Sequence, residues 1–226
     1  MARKVKMRIW RGDSNNDEFK DVSVDANEGE VVLDVIHRVQ GTQMPDLAVR
    51  WNCKAGKCGS CSMEINGKPR LACMTRMNSF GDDETITVTP LRAFPVIRDL
   101  VTDVSFNYKK AMEVPAFEGP EDLKPGEYRM QQVDVERSQE FRKCIECFLC
   151  QDTCHVIRDH EENKKSFAGP RSLFALQSWI CTHLIGYAIA NRKPKKNMDL
   201  ECATSLSAVL KFVQNISRLP ITQLFQ

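Results

Sequence analysis

Four cysteines between residues 53 and 73 are spaced as ligands of a metal cluster. They follow the pattern C-x4-C-x2-C-x11-C in the stretch WNCKAGKCGSCSMEINGKPRLAC. The spacing of the first three is that of plant-type ferredoxins, in which four thiolates hold the two irons of a [2Fe–2S] cluster. The predicted [2Fe–2S] ligands are Cys53, Cys58, Cys61 and Cys73.

Two glycines between these ligands favour a cluster over a single ion. Gly56 and Gly59 let the backbone wrap closely around the cluster and direct its N–H groups at sulfur, which raises the reduction potential. A zinc site of four cysteines is the main alternative, but zinc sites favour paired C-x2-C knuckles and this stretch has one such pair. Lys54 and Lys57 either tune the charge of the cluster or are ordinary solvated lysines.

A second cysteine group lies in CIECFLCQDTCH and reads C-x2-C-x2-C-x3-C. This is the bacterial ferredoxin spacing, in which the fourth cysteine ligates a different cluster from the first three. Cys144, Cys147 and Cys150 are therefore predicted to hold three corners of a [4Fe–4S] cluster, and Cys154 to serve the next cluster. Zinc, or one cluster with an outside ligand, is the alternative. The presence of two cluster motifs in one chain favours a role in electron transfer between clusters.

The composition excludes some classes of function and favours a reducing compartment. A formal net charge of +2 over 226 residues gives no electrostatic basis for binding nucleic acid or an acidic membrane. Ten cysteines suit either disulfides or metal sites, but they are grouped at ligand spacings, and MARKVKMRIWRGDSNNDEF lacks the apolar region of a signal peptide. We therefore expect cytoplasmic metal sites. No nucleophile–base constellation stands out, so no catalytic residue is predicted, and His37 is expected in surface or boundary packing.

The elements that must position the first group follow from the hydrophobic pattern. Alternation predicts strands over residues 3–10 and 19–26, joined as a hairpin. The stretch NEGEVVLDVIHRVQG predicts a helix that stops near Gly41. Its apolar face comprises Val32, Val35, Ile36 and Val39. A hairpin turn at Asn66-Gly67 and a strand in ETITVTPL complete a small mixed sheet packed on a helix.

Composition also suggests where the chain divides. Residues 1–105 form the first predicted domain, and residues 106–132 a linker, because MEVPAFEGPEDLKPGEYRM holds three prolines and two glycines. Residues 133–171 begin a helical domain at VDVERSQEFRKCIECFLC, and residues 172–226 form a separate tail.

With both motifs in this order, the chain resembles the iron–sulfur subunits of succinate dehydrogenase and fumarate reductase. The matching stretches are WNCKAGKCGSCSMEINGKPRLAC, TVTPL…PVIRDLVTD and CIECFLCQDTCHV…FAGPR, within residues 1–171. The resemblance implies an α+β fold: a plant-ferredoxin-like (β-grasp) N-terminal domain followed by an all-helical ferredoxin domain. His155 departs from the family, in which many members have proline.

The resemblance also implies a function and partners. The chain would be the electron-transfer subunit of a succinate:quinone oxidoreductase, passing electrons between an FAD-containing flavoprotein subunit and quinone. The clusters would be [2Fe–2S], [4Fe–4S] and [3Fe–4S], with Cys154 a ligand of the last. Membrane-anchor subunits would place the chain peripherally at the cytoplasmic face of the cytoplasmic membrane. The alternatives are a stand-alone ferredoxin-like carrier, a zinc-binding interaction protein or a non-functional truncated product.

The tail after Arg171 departs from this family. The family implies a further group C-x5-C-x3-C-P, whereas the tail holds Cys181 and Cys202 alone. LECATSLSAVLKFVQ can be back-translated with freely chosen codons and then read with the frame shifted by one base. The result is LGMCNITKCCTEVCP, and the same shift turns SLFALQSWICTHLI into FLIRIAELDMHPLD. We therefore interpret residues 172–226 as the product of a single-base deletion near the Arg171 and Ser172 codons; a membrane span or a buried helix in SLFALQSWICTHLIGYAIA is the alternative.

This interpretation predicts which clusters the chain can hold. All four [2Fe–2S] ligands precede the break, so that cluster is expected to form. The [4Fe–4S] cluster lacks its fourth ligand and the [3Fe–4S] cluster lacks all but Cys154, so the first is expected to be impaired and the second lost. The helical domain is accordingly expected to be incomplete.

Overall fold

The computed structural model describes residues 3–113, 124, 127 and 132–173. A five-stranded mixed sheet has the strand order β2-β1-β5-β3-β4. Its strands are β1 (Arg3–Gly12), β2 (Asp17–Ala26), β3 (Ser62–Ile65), β4 (Lys68–Leu71) and β5 (Thr85–Thr89). Strand β1 pairs antiparallel with β2 and parallel with β5, while β3 is antiparallel to both β4 and β5. The predicted mixed sheet is therefore confirmed.

The predicted N-terminal hairpin is confirmed, and each strand extends two residues further toward the turn. The register runs from Arg3 opposite Ala26 to Gly12 opposite Asp17. Every second side chain of β1 is fully buried beneath the sheet, as the alternating pattern requires. These core residues are Val5, Met7 and Ile9.

Helix α1 (Val32–Thr42) packs its apolar face against this sheet. The buried residues are Val32, Leu33, Val35, Ile36 and Val39, which include all four that were predicted. The helix runs through Gly41 instead of stopping there, because its last turn is closed by other residues. The N–H groups of Gln43 and Met44 both bond to the carbonyl of Val39, at 2.8 and 2.9 Å.

The turn between β3 and β4 is the predicted one. Asn66 and Gly67 have φ angles of 51° and 70°, and two successive left-handed residues are the signature of a type I′ turn. The side-chain carbonyl of Asn66 accepts the N–H of Thr87 at 2.7 Å, which ties the turn to β5. The turn therefore aims β4 and the residues after it back toward α1.

The remaining elements are short. They are strands β6 (Val96–Arg98) and β7 (Val101–Thr102), helices α2 (Ser105–Met112), α3 (Gln132–Arg142), α4 (Leu149–Thr153) and α5 (His155–Arg158), and 3₁₀ turns at Met77–Ser79 and Glu161–Lys165. Helix α2 covers the first residues of the predicted linker over 106–132, whose bounds stay a prediction. The helix predicted from Val133 is confirmed as far as Arg142, where a loop with the cysteines follows. Nowhere in the described ranges is a helix long and apolar enough to cross a membrane.

Contacts divide the chain into two units, residues 1–115 with 139–176, and residues 116–138 with 177–226. In the first unit, a small hydrophobic cluster joins the residues after β5 to the segment that carries the second cysteine group. Its buried members are Leu91, Ala93, Phe94, Phe148 and Ile157. The predicted domain boundaries stay a prediction. The tail, with Cys181 and Cys202, lies outside the described residues apart from positions 172 and 173.

An ion pair at the entry to α1 stabilises the fold above acidic pH. Arg38 donates to both carboxylate oxygens of Glu30, with Nη1 2.9 Å from Oε2. The N–H of Asn27 donates to the same carboxylate at 2.8 Å. The bond from Arg38, followed by those from Asn27, lowers the pKa of Glu30 from 4.5 to about 2. A carboxyl group whose pKa is lower in the folded state stabilises the fold at pH values above its ordinary pKa. This stability is lost as the pH falls through the pKa of the folded state.

We therefore expect Glu30→Gln to be less stable than the wild type at neutral pH, with the difference shrinking as the pH falls from 4.5 toward 2. Denaturant unfolding of both chains across this range measures the effect. Arg38→Gln should remove the same pH-dependent contribution, because it leaves Glu30 without its principal donor. A difference of constant size at every pH would contradict the prediction.

Candidate metal centres

The first three cysteines of the first group lie in an irregular loop between α1 and β3. Three of its residues have left-handed backbones: Lys54, Gly56 and Gly59, with φ angles of 54°, 64° and 69°. This conformation is inexpensive for glycine, which has no Cβ to clash with the backbone. The loop can therefore curl tightly enough for its N–H groups to turn inward.

Backbone N–H groups of the loop point at cysteine sulfur. Cys53 Sγ accepts the N–H groups of Ala55 and Lys57 at 3.4 and 3.3 Å. Cys61 Sγ accepts the N–H of Cys73 at 3.4 Å. Such donors stabilise negative charge on a ligating thiolate and on the cluster it holds. This is the electrostatic environment that the predicted [2Fe–2S] centre needs.

Cys73 reaches the loop from the far side of the hairpin. Strand β4 ends at Leu71, and the next residue, Ala72, is held on both sides. Its N–H donates to the carbonyl of Cys61 at 3.0 Å, and its own carbonyl accepts the N–H of Leu33 at 3.1 Å. These bonds fix Cys73 beside Cys61 and against the first turn of α1.

The four thiols differ in burial, and Cys58 and Cys61 have pKa values that are shifted in opposite directions. Cys61 and Cys73 are buried, whereas Cys53 and Cys58 are half-buried. Burial raises the pKa of Cys61 to about 12. Hydrogen bonds from Ser60, and next from Cys53, lower the pKa of Cys58 to about 6. At neutral pH the Cys58 thiol therefore loses its proton more readily than the Cys61 thiol. The positive charge of bound iron would favour deprotonation of Cys61.

These residues fit a [2Fe–2S] cluster. All four cysteines are free thiols. Within the described part of the chain, no three Cys, His, Asp or Glu side chains converge on one point where a single ion would sit. A [2Fe–2S] cluster does not need such a point, because its four thiolates are divided between two irons.

The surface beside this loop carries an aromatic and charged cluster. The ring of His37 lies edge-on to Trp51, with centroids 4.7 Å apart. Lys54 Nζ lies 5.1 Å from the ring centroid of Trp51 and 3.8 Å from Asp34 Oδ1. Burial, and then the charge of Lys54, lower the pKa of His37. His37 therefore packs at the boundary of the core, as predicted, and Lys54 is held by neighbours at the surface.

The second cysteine group begins in the loop after α3. Two of its residues are left-handed without being glycine: Glu146 and Phe148, with φ angles of 54° and 59°. A bulky residue adopts this conformation when its surroundings compensate. Phe148 is buried and packs edge-on against Phe94 and Tyr108, with centroids 6.2 and 5.7 Å apart. Packing of this ring therefore fixes the loop between Cys147 and α4.

The first three cysteines of this group lie close enough for their charges to interact, although they do not converge on one point. Burial, and then the charge of Cys144, raise the pKa of Cys147. Burial raises the pKa of Cys150 to about 11, even though the residue as a whole is exposed, and Cys147 and Cys144 raise it further. Cys154 lies at the junction of α4 and α5. It is the one other cysteine in residues 132–173, so a fourth ligand for the first three is not assigned there.

The sequence did not indicate the role of Gln151, which lies between two ligands and is fully buried. Its Nε2 donates to Asn107 Oδ1 at 2.7 Å and to the carbonyl of Ala168 at 3.1 Å. Its Oε1 accepts the N–H of Arg171 at 3.3 Å. The side-chain amide of Gln151 thus joins α2, α4 and the FAGPR stretch. Nothing in the neighbouring sequence distinguishes such a glutamine from a surface residue.

Asp152, also missed, joins α4 to the residues after β5. Its Oδ1 accepts the N–H of Ala93 at 2.8 Å. Burial, and then the nearby Glu64 carboxylate, raise the pKa of Asp152 to about 7. Glu64 itself is paired with Arg92 at 2.7 Å. The segment with the second cysteine group is therefore hydrogen-bonded directly to the residues that follow β5.

Comparison with known proteins identifies this architecture. The family described as a 2Fe-2S iron-sulfur cluster binding domain matches residues 6–109, which hold the sheet and the first cysteine group. The fumarate reductase iron-sulfur subunit of Wolinella succinogenes is 31% identical over 163 residues, covering 68% of this chain and 67% of that protein. This chain belongs to the family of succinate dehydrogenase and fumarate reductase iron–sulfur subunits.

Further relatives agree with this membership. A chain in the solved structure of the Mycobacterium smegmatis Sdh1 complex in the apo form is 67% identical, with a TM-score of 0.79 and coverage of 81% of this chain and 77% of that one. The fumarate reductase iron-sulfur subunit of Mycobacterium tuberculosis is 38% identical over 128 residues, or 55% of this chain. This iron–sulfur subunit spans 51% of the length of that relative. The predicted resemblance, and the α+β class with an N-terminal sheet domain, are confirmed.

Proposed function

We propose that this iron–sulfur subunit carries electrons between an FAD-containing flavoprotein subunit and quinone, without catalytic residues of its own. The observation that supports this most directly is that cysteine loops of two different types lie in one compact unit. Cys58 of the first loop and Cys147 of the second line the same cavity of about 90 Å³. Two redox centres this close suit sequential one-electron transfer.

The ligand assignment follows the two groups. Four residues hold the [2Fe–2S] cluster: Cys53, Cys58, Cys61 and Cys73. Three others hold three corners of the [4Fe–4S] cluster: Cys144, Cys147 and Cys150. Cys154 serves the [3Fe–4S] cluster. The clusters supply the one-electron chemistry, and the N–H groups aimed at Cys53 and Cys61 favour the reduced state of the first by stabilising its added charge.

The second segment and the assembly are proposed by analogy with the family. Residues 133–171 begin an all-helical ferredoxin domain after the plant-ferredoxin-like one. The subunit docks on the flavoprotein and on membrane-anchor subunits, and lies peripherally at the cytoplasmic face of the cytoplasmic membrane. The physiological reaction is succinate oxidation or fumarate reduction.

We further propose that residues 172–226 are frameshifted, so that the [4Fe–4S] cluster is impaired and the [3Fe–4S] cluster is lost. Resequencing the gene across the codons for Arg171 and Ser172 tests the first part. Reconstitution with iron and sulfide tests the second: iron counting and electron paramagnetic resonance (EPR) should find a full [2Fe–2S] cluster. Three complete clusters in the chain as written would overturn the proposal.

A stand-alone ferredoxin-like carrier is the second candidate. It is favoured by one observation: the complete ligand set of the first group lies within residues 3–113. Purification from the native host separates the two functions. A flavoprotein that co-purifies stoichiometrically supports the subunit, whereas a monomeric brown protein supports the carrier.

A further inference from the structure

The two cysteine loops touch at Gly59. An ideal Cβ on this residue would lie 2.6 Å from Cys147 Cα, 2.8 Å from its backbone nitrogen and 2.9 Å from its Cβ. These atoms belong to the backbone or are directly attached to it, so they cannot rotate away as the end of a long side chain can. The two loops can therefore meet because residue 59 has no side chain.

Cys147 cannot retreat from this contact without breaking other interactions. The next residue, Phe148, has its ring buried against Phe94 and Tyr108. Four residues further on from Phe148, the buried Asp152 is bonded to the N–H of Ala93 at 2.8 Å. The residues that follow Cys147 are thus held by packing and by a buried hydrogen bond. A side chain at residue 59 would have to push against packed aromatic rings.

We propose that Gly59 is a positioning residue that fixes the distance between the two metal centres. Because it is covalently next to Cys58 and in van der Waals contact with Cys147, an electron has a path that crosses a single non-bonded gap. In each transfer the centre at the first group is oxidised by one electron and the centre at the second is reduced by one; no bond or proton moves. This assignment rests on the proposed function.

Gly67 provides a matched control outside the two cysteine loops. Its φ of 70° resembles the 69° of Gly59, so alanine suffers similar backbone strain at both positions. A Cβ on Gly67 would have no other heavy atom within 4 Å beyond its chain neighbours. The two alanine variants therefore differ in whether the added methyl group pushes on Cys147.

The test uses the full chain, reconstituted with iron, sulfide and an excess of a small thiol that can supply the fourth corner of the second cluster. Pulsed EPR of the reduced protein measures how much the second centre speeds relaxation of the [2Fe–2S] signal. Gly59→Ala should lose this enhancement, to the level of a Cys147→Ser chain. Gly67→Ala should keep it.

A second measurement needs no second cluster. Hydrogen exchange of the peptide covering residues 144–150 should rise by about tenfold or more in Gly59→Ala, since overpacking a rigid contact weakens it, and should stay unchanged in Gly67→Ala. Unchanged coupling and exchange in Gly59→Ala, or equal losses in both variants, would overturn the positioning role. A wild-type chain with no second-centre signal even with the added thiol would overturn the electron path in this chain and leave the frameshift proposal standing, whereas failure of the proposed function would show as a wild-type chain that forms no [2Fe–2S] cluster.

Discussion

Replacing Cys73 with serine is expected to abolish the [2Fe–2S] cluster and remove both of its irons. Cys73 is 5% exposed and is held beside Cys61, to whose sulfur its own N–H donates. Serine keeps the size of the side chain, but its oxygen is a harder and more basic ligand than the thiolate that iron–sulfur clusters require. The cluster would then lack one ligand at a buried position, and the backbone hydrogen bonds of Ala72 cannot replace that ligand.

The matched control is Cys154→Ser, a cysteine of the same chain that the assignment places outside the first centre. Cys154 lies at the junction of α4 and α5, in the other cysteine group. Its replacement should leave the [2Fe–2S] absorption and EPR signal, and two irons per chain, in place. Iron analysis and visible spectra of the two reconstituted variants decide the matter. Equal iron loss in both would contradict the assignment of ligands to separate centres.

Such a result also separates iron chemistry from the zinc alternative. A zinc-binding protein would be colourless in the wild type, and Cys73→Ser would change its zinc content without changing a visible spectrum. A brown wild-type chain and loss of that colour in Cys73→Ser would together require an iron–sulfur centre. The glycines between the ligands and the N–H groups aimed at Cys53 lead us to expect this outcome.

The first centre could be predicted from the sequence because its determinants are local. Spacing of Cys53, Cys58 and Cys61 reflects a tight loop, and Asn66-Gly67 marks a turn by backbone conformations that few other residue pairs adopt. The apolar face of α1 follows from helical periodicity in the same way. Each of these signals depends on residues within about two helical turns of one another.

Contacts between distant parts of the chain carried no such signal. Gly59 reads as a cluster-loop glycine, and its second role depends on Cys147, 88 residues later. Asp152 reads as a surface acid until Ala93 and Glu64 are placed beside it. The helix in the first residues of the predicted linker was missed for the same reason. Helix α2 has few apolar residues, and Asn107 fixes it through a buried bond to Gln151.

Another contact between distant parts of the chain lies at Asp99. This residue is 1% exposed and has a left-handed φ of 49°. Its Oδ1 accepts the N–H of Gly12 and Nε of Arg11, both at 2.9 Å. Its Oδ2 accepts the N–H of Ala48 at 2.8 Å. One carboxylate therefore binds the end of the first hairpin, the turn between β6 and β7, and the segment that leads into the first cysteine loop.

Asp99→Asn is expected to lower the free energy of unfolding by about 3–5 kcal/mol, the usual cost of breaking a buried ion pair from one side. Asparagine tolerates the left-handed backbone, so the substitution mainly changes charge and hydrogen bonding. Its amide replaces one acceptor oxygen with a donor that faces another N–H, and the charge of Arg11 loses its buried partner.

Asp46→Asn is the control, because Asp46 pairs with the same arginine at 2.7 Å but has a side chain that is 62% exposed. Surface ion pairs contribute at most about 1 kcal/mol, so this variant should unfold close to the wild type. Denaturant unfolding of both chains, loaded with the first cluster, gives the comparison. Because Ala48 precedes the loop that holds Cys53, Asp99→Asn should also release iron at lower denaturant than Asp46→Asn does. Equal stability of the two variants would mean that the bonds to Gly12 and Ala48 are replaced by water, and that the hairpin and the cysteine loop are not joined through Asp99.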